Sequence, residues 1–405
     1  MMFPSKAFLS ILFVMLSSAD ASPLRSDARK ATLSFAARVN ARGAVNVAAA
    51  DRARVQAMKQ AGSMGKRAGK SSFSITNAVV TYTAQVGIGS PATEYTLIID
   101  TGSSNTWVGA NTPYNPTATS VDTGNTVDVS YGSGSFFGEE YTDTVYLSNT
   151  LVITGQSIGV ASSSQGFSGV DGILGVGPAD LTESTVSNVD IVSTVTDNLY
   201  SQGVIDTEAL GIYFVPPDAS DSAGELTFGG HDSSKITSPV TYVPLTTTSP
   251  ASSYWGIDQS ISYGGSTILS ETAGIVDTGT TLVLIASDAF STYQTATGAV
   301  MDEATGLLTI TSGQYDKLQS LTFKIGGKTY DLTPNAQIWP RSLNADIGGS
   351  SSNIYLIVAD IGSDSGSGLD FVNGYAFLQR HYSVFDTTNN QVGFANTPHT
   401  DDKSN

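Results

Sequence analysis

Tyr95-Thr96-Leu97-Ile98-Ile99-Asp100-Thr101-Gly102-Ser103-Ser104 and Ala273-Gly274-Ile275-Val276-Asp277-Thr278-Gly279-Thr280-Thr281 are two writings of one pattern, with Asp277 lying 177 residues after Asp100. Each is an apolar strand that runs into Asp-Thr-Gly and then two hydroxyl residues. A strand entering such a turn holds a carboxylate at its end, the glycine lets backbone approach closely, and the hydroxyls supply hydrogen-bond donors. One Asp-Thr-Gly is an ordinary turn. Two in equivalent settings point to a molecule of two similar halves whose loops meet at a pseudo-twofold axis. Carboxylates brought that close do not both ionise easily and share a proton, so one serves as base and the other as acid.

The rest of the chain fits a two-part β protein. Its 405 residues exceed what one core usually organises. Only 14% of residues are charged, and Ser, Thr, Gly, Val, Ile and Tyr dominate, a mix suited to half-buried strands and tight turns. The fold class expected is mainly β, bilobal, with two pseudo-symmetric β lobes and a few short helices, dividing near residue 245 into 68–245 and 246–405. Ile191 to Gln202, closed by Gly203, and Asp288 to Thr297, closed by Gly298, read as those helices. With no cysteine, the chain gains nothing from disulfides, and cysteine-protease chemistry is excluded.

The N-terminus reads as a leader. Lys6, an apolar run from Ala7 to Leu16 and small residues through Ala21 form the layout of a cleaved secretory signal, residues 1–21, which predicts a secreted, extracellular product. The run is too short to span a bilayer, and no membrane association is expected. A charge boundary follows: residues 1–67 carry eleven Lys or Arg and three Asp, net +8, whereas residues 68–405 carry eight basic and 33 acidic groups, net −25. The boundary falls at the dibasic pair Lys66-Arg67, so residues 22–67 read as a propeptide. Its cations, among them Arg25, Arg29, Lys30, Arg38, Arg42, Arg52, Arg54 and Lys59, are expected to dock on the acidic body and to loosen on acidification. The acidic body argues against nucleic-acid binding. A monomer is expected, whose partners are protein or peptide substrates and its own propeptide.

Between the two Asp loops, Val129-Ser130-Tyr131-Gly132-Ser133-Gly134-Ser135 reads as a hairpin with a mobile tip that carries Tyr131 over whatever lies beneath. Asp100 to Trp107, Tyr131 to Ser135, Asp171-Gly-Ile-Leu-Gly175 and Asp277 to Thr281, in this order and spacing, resemble the four signature blocks of the pepsin family of aspartic proteases. The likeness extends over residues 80–395, and secreted, cysteine-free members from wood-rotting fungi look most similar. A shared proton is the known behaviour of that family's dyad.

The resemblance implies an aspartic endopeptidase that hydrolyses peptide bonds at acidic pH through a water activated by Asp100 and Asp277, with no cofactor and no metal. By the same resemblance Gly102 and Gly279 give backbone N–H groups and Ser103 and Thr280 give hydroxyls to the carboxylates, while Thr101 and Thr278 brace the two loops. Tyr131, Gly132 and Ser133 correspond to the flap, with the Trp107 indole as hydrogen-bond partner of Tyr131. Ser133, where some relatives carry Asp, implies hydrophobic residues around the scissile bond; Ile99, Val170 and Ile173 are candidates for the pocket wall, and Thr281 for substrate binding. One departure stands out. In Phe371-Val372-Asn373-Gly374-Tyr375, Asn373 holds a place usually apolar and Tyr375 one usually acidic, so packing behind Asp277 is expected to differ, with Asn373 hydrogen-bonding locally.

Rival readings fare worse. Gly155-Gln156-Ser157-Ile158-Gly159 matches a nucleophile elbow, but no helical periodicity follows the serine. The scattered His231, His381 and His399 form no metal-ligand spacing. A catalytically inactive binding or inhibitor protein on the same fold is the alternative, and such homologues lose a catalytic Asp or the flap tyrosine; both are retained here.

Overall fold

Strand alternation and glycine-ended hairpins produce the architecture the sequence leads one to expect. The computed structural model describes residues 29–39, 46–63, 80–131, 134–216 and 224–403. The signal segment, the Lys66-Arg67 pair and the flap residues Gly132 and Ser133 lie outside them. Within the described residues the strands form sheets of thirteen, seven and three strands. The two larger sheets repeat one arrangement around each Asp-Thr-Gly loop.

In the first, strand Thr93–Asp100 pairs antiparallel with Val80–Ile88 and parallel with Gly172–Gly175, with Asp100 opposite Gly175. In the second, strand Ser266–Val276 pairs antiparallel with Gly256–Tyr263 and parallel with Phe371–Asn373, with Val276 opposite Asn373. Each Asp therefore leaves a strand gripped from both sides, which fixes the start of its loop. Strands His381–Asp386 and Gln391–Asn396 return to the thirteen-stranded sheet, pairing with Ala209–Tyr213 and Thr241–Pro244, and so join the two halves.

Helices fall where the capping chemistry permits. The reading of Ile191–Gln202 as helix is too long at its start: the observed helix is Val195–Ser201, because Thr194 caps it, its side chain accepting from the Asp197 N–H while the Asp197 carboxylate accepts from the Thr194 N–H. Helix Ser287–Thr297 ends at Gly298, whose φ of 69° is the left-handed closure expected of a terminal glycine.

The basic leader folds onto the body as one strand and one helix. Strand Ala31–Val39 inserts between Gly224–Phe228 and Val80–Ile88. Its alternation sends Leu33 and Phe35 inward, and the Phe35 ring meets Tyr82 and Phe214 edge-on at 5.5 and 5.2 Å. Helix Val47–Ser63 starts at Asn46, whose side chain accepts from the Ala49 N–H. Val47, Ala48, Val55 and Met58 are buried along one face, and two charged residues, Asp51 and Arg54, lie buried on that same face.

Candidate active site

The two loops meet. The Thr101 N–H donates to the Thr278 hydroxyl and the Thr278 N–H to the Thr101 hydroxyl, both at 3.0 Å, and the Thr278 hydroxyl donates to the Ile99 carbonyl at 3.0 Å. Each carboxylate has the same two donors. Gly102 N–H and Ser103 Oγ donate to Asp100 at 3.0 and 2.6 Å; Gly279 N–H and Thr280 Oγ1 donate to Asp277 at 3.0 and 2.6 Å. Glycine is required here for space, since a Cβ at Gly102 would stand 2.6 Å from Asp277 Oδ1 and one at Gly279 would stand 2.6 Å from Asp100 Oδ1.

Arg54 of the leader helix lies between the two acids. Its Nη2 donates to Asp100 Oδ1 at 2.6 Å and to Asp277 Oδ1 at 3.1 Å, and its Nε donates to Asp277 Oδ2 at 2.8 Å. One planar fork thus bridges both carboxylates, with all three side chains buried. One positive charge against two negative ones leaves room for a proton. Burial pushes the Asp100 carboxyl above its ordinary value despite Arg54. Burial acts upward on Asp277 too, but there the charge and hydrogen bonds of Arg54 prevail and hold the group below its ordinary value.

Asp51, one helical turn before Arg54, accepts from the Thr281 N–H at 3.1 Å and the Leu282 N–H at 2.8 Å. Burial pushes its carboxyl up to about 7, against the lowering effect of those two hydrogen bonds. The Tyr254 hydroxyl donates to the Met58 carbonyl at 3.1 Å, a further tie between leader and body. Charge counting makes Arg54 one cation among many and gives no reason to single out Asp51. The signal that singles them out is position: both fall on the apolar stripe of an amphipathic helix, where a charged residue is buried and needs a partner.

Tyr131 ends strand Val121–Tyr131 of the flap hairpin and packs edge-on to Phe167 at 5.6 Å. Burial, reinforced by Asp100, holds its phenol protonated far above the usual range. With the helix in the cleft no hydrogen bond of ordinary geometry joins the buried Trp107 indole N–H and the Tyr131 hydroxyl, although the indole lies near enough to act on the phenol as a donor. Trp107 instead stacks on Phe136 at 4.3 Å and meets Phe167 edge-on.

Val170 and Ile173 join Trp107, Phe136 and Phe167 in the small apolar cluster beneath the flap. Ile99 does not. Side chains alternate along Thr93–Asp100, so Ile98 faces that cluster while Ile99 points into the main core, and Ile99 is a core residue rather than pocket wall.

Behind Asp277, Asn373 bonds across the sheet rather than locally. Its side-chain Nδ2–H donates to Gln259 Oε1 at 2.8 Å and its Oδ1 accepts from Gln259 Nε2 at 3.0 Å, both residues fully buried, while its backbone carbonyl accepts from the Asp277 N–H at 3.2 Å. Asn373 ends strand Phe371–Asn373, and its side chain reaches over Ser266–Val276 to Gln259 instead of turning back on its own loop. Tyr375 fills the neighbouring volume with its ring 4.8 Å from Tyr82. Ser157 lies mid-strand within Val152–Gln165 and donates to Glu140 at 2.5 Å, so no nucleophile elbow exists there.

Two Asp-Thr-Gly loops, one from each half of a bilobal β fold, define an aspartic-type endopeptidase, a hydrolase. Residues 81–397 match the family model for eukaryotic aspartyl proteases, and the chain belongs to that family. It is 62% identical to polyporopepsin of Irpex lacteus over 334 residues, 82% of this chain and 98% of that protein. A crystal structure of the aspartic proteinase from Irpex lacteus superposes with a TM-score of 0.78, covering 80% of this chain and 96% of the other. Pepsin A of Sus scrofa is 30% identical, over 78% of this chain and 80% of its own length.

Proposed function

We propose that the chain is the precursor of a secreted acid endopeptidase in which Asp100 and Asp277 are the catalytic pair, residues 1–21 are a signal peptide and residues 22–67 an inhibitory propeptide. The observation that carries this reading is the bridging of both carboxylates by Arg54. Two acids close enough to share one guanidinium are close enough to share one proton and one water once the helix has left. The ionised member takes a proton from the water as it attacks the peptide carbonyl, and the protonated member donates to the developing oxyanion. The Gly102, Ser103, Gly279 and Thr280 donors hold the carboxylates in place, and the braced threonines keep the two halves in register. The apparent ionisations belong to the pair, not to either residue.

Acidic operation follows because only a singly protonated pair has both a base and an acid. Hydrophobic residues around the scissile bond are favoured by the cluster of Val170, Ile173 and Phe167 beneath the flap. While Arg54 is seated, neither carboxylate can accept from a water or donate to a carbonyl, so the precursor is latent.

The test is peptide hydrolysis at acidic pH by acid-converted wild type and Asp277→Asn. The variant keeps the shape and loses the ionisable group, so kcat/KM is expected to fall by roughly a thousandfold or more. Turnover within a few-fold of wild type would refute the assignment of the pair.

A further inference from the structure

A second contact of the leader helix lies away from the carboxylate pair. Arg52 and Lys59, two helical turns apart on one face, both reach the loop between Asp360 and Asp370. Arg52 Nε donates to the Asp360 carbonyl at 3.2 Å, and Lys59 Nζ donates to the hydroxyls of Ser363 at 2.6 Å and Ser367 at 2.9 Å. Burial lowers the pKa of the Lys59 ammonium below its ordinary value, and the negative charge of Asp370 works against that lowering.

This loop is held ready to receive a cation. Asp360 accepts from the Ser287 hydroxyl and the Gly362 N–H at 2.6 and 2.8 Å, Asp288 accepts from the Ser365 N–H and hydroxyl at 3.1 and 2.6 Å, and Asp370 accepts from the Gly366 and Ser367 N–H groups at 2.7 and 2.9 Å. Its shape therefore comes from the body of the protein and not from the leader. The Ser367 hydroxyl donates to Asp370 Oδ1 at 2.8 Å, with the Leu369 carbonyl a longer second acceptor at 3.2 Å. Its lone pairs are thereby turned outward, relaying the buried carboxylate's charge to whatever sits above, and in the precursor a lysine sits there.

We propose that in the mature enzyme this loop is a subsite that selects a lysine or arginine side chain of the substrate. The inference rests on the protease reading above. Lys59 follows Arg54 by five residues, about 7.5 Å along the helix axis. An extended peptide rises about 3.3 Å per residue, so the cation belongs roughly two to four residues from the scissile bond. The preference adds to the apolar selection at the bond itself and acts through binding, because the loop touches no reacting atom.

The experiment uses acid-converted enzyme and peptides with a fixed apolar scissile pair. A single lysine is walked through the four positions on either side, each peptide having a glutamine counterpart. At about pH 5, above the ordinary carboxylate range, lysine at one position is expected to raise kcat/KM about tenfold over glutamine, mainly through KM. That ratio should shrink on going from roughly 0.05 to 0.5 M salt. In Ser363→Lys, where a cation already occupies the loop, the ratio should fall to unity or below; taking it within one enzyme cancels any general loss of activity. Cleavage of the glutamine series with no lysine preference at any position overturns the subsite and leaves the protease reading intact. So does a preference that ignores salt and survives Ser363→Lys. Failure to cut any peptide sinks both.

Discussion

Arg54 and Asp51 sit one helical turn apart and respond to acid in opposite directions. Asp277 is held below its ordinary 3.8 by Arg54, so its contribution to docking is present above that value and is lost as pH falls through the lowered one. Asp51 is raised from 3.8 to about 7, so its contribution is full below 3.8 and is lost as pH rises through about 7. Falling pH thus loosens the helix at Asp277 and tightens it at Asp51. Counting charges alone leads one to expect loosening everywhere; burial reverses the sign for Asp51, whose hydrogen-bond donors are neutral N–H groups, and also raises Asp100 despite its bond to Arg54. Asp51→Asn keeps an acceptor oxygen and removes the ionisation. The variant precursor should convert roughly tenfold more slowly than wild type at about pH 6 and at the same rate at about pH 3, followed by gel and by peptide hydrolysis. A rate ratio that does not change with pH would contradict the shift.

Among the elements, the strand Phe371–Asn373 departs most from its counterpart. Its partner in the first half, Gly172–Gly175, places Leu174 where this strand places Asn373, and the register around both Asp strands is otherwise the same. Replacing an apolar contact by a buried amide pair succeeds only because Gln259, reaching over strand Ser266–Val276 from its far neighbour Gly256–Tyr263, answers both hydrogen-bonding groups of Asn373. Asn373→Leu should therefore cost about 1–3 kcal/mol, most of it from stranding the Gln259 amide. The double variant Asn373→Leu with Gln259→Leu should recover much of that loss in urea unfolding of the precursor. Strictly additive losses would show that the pair is not a unit.

Over the whole molecule, beyond strand pairing and apolar burial, the leader is held by two kinds of ionic contact. The pairing of Arg29 with Asp206 is exposed and is screened by salt; the Arg54 bridge is buried and is not. Raising salt to about 1 M at about pH 7 should leave the precursor latent. Arg54→Met should not: removing one partner of a buried ionic cluster costs about 3–5 kcal/mol, so conversion at neutral pH should speed up by roughly a hundredfold or more. Release of activity by salt alone, or latency undiminished in Arg54→Met, would show that the charge asymmetry between leader and body, not this one bridge, keeps the enzyme closed.

What the sequence determined by itself was the repeated Asp-Thr-Gly loop, the mainly β two-part plan, both short helices to within a few residues and the existence of a basic leader. These are legible because strand alternation, glycine turns and charge runs are local properties of the chain. Tertiary structure alone decided that Ile98 rather than Ile99 faces the flap cluster, that Asn373 finds Gln259 in a strand 114 residues away in sequence, and that Arg54 among eleven leader cations reaches the two acids. Each of those depends on which surfaces meet once burial has removed water. A charged or amide group then needs a specific partner, and no run of neighbouring residues names it.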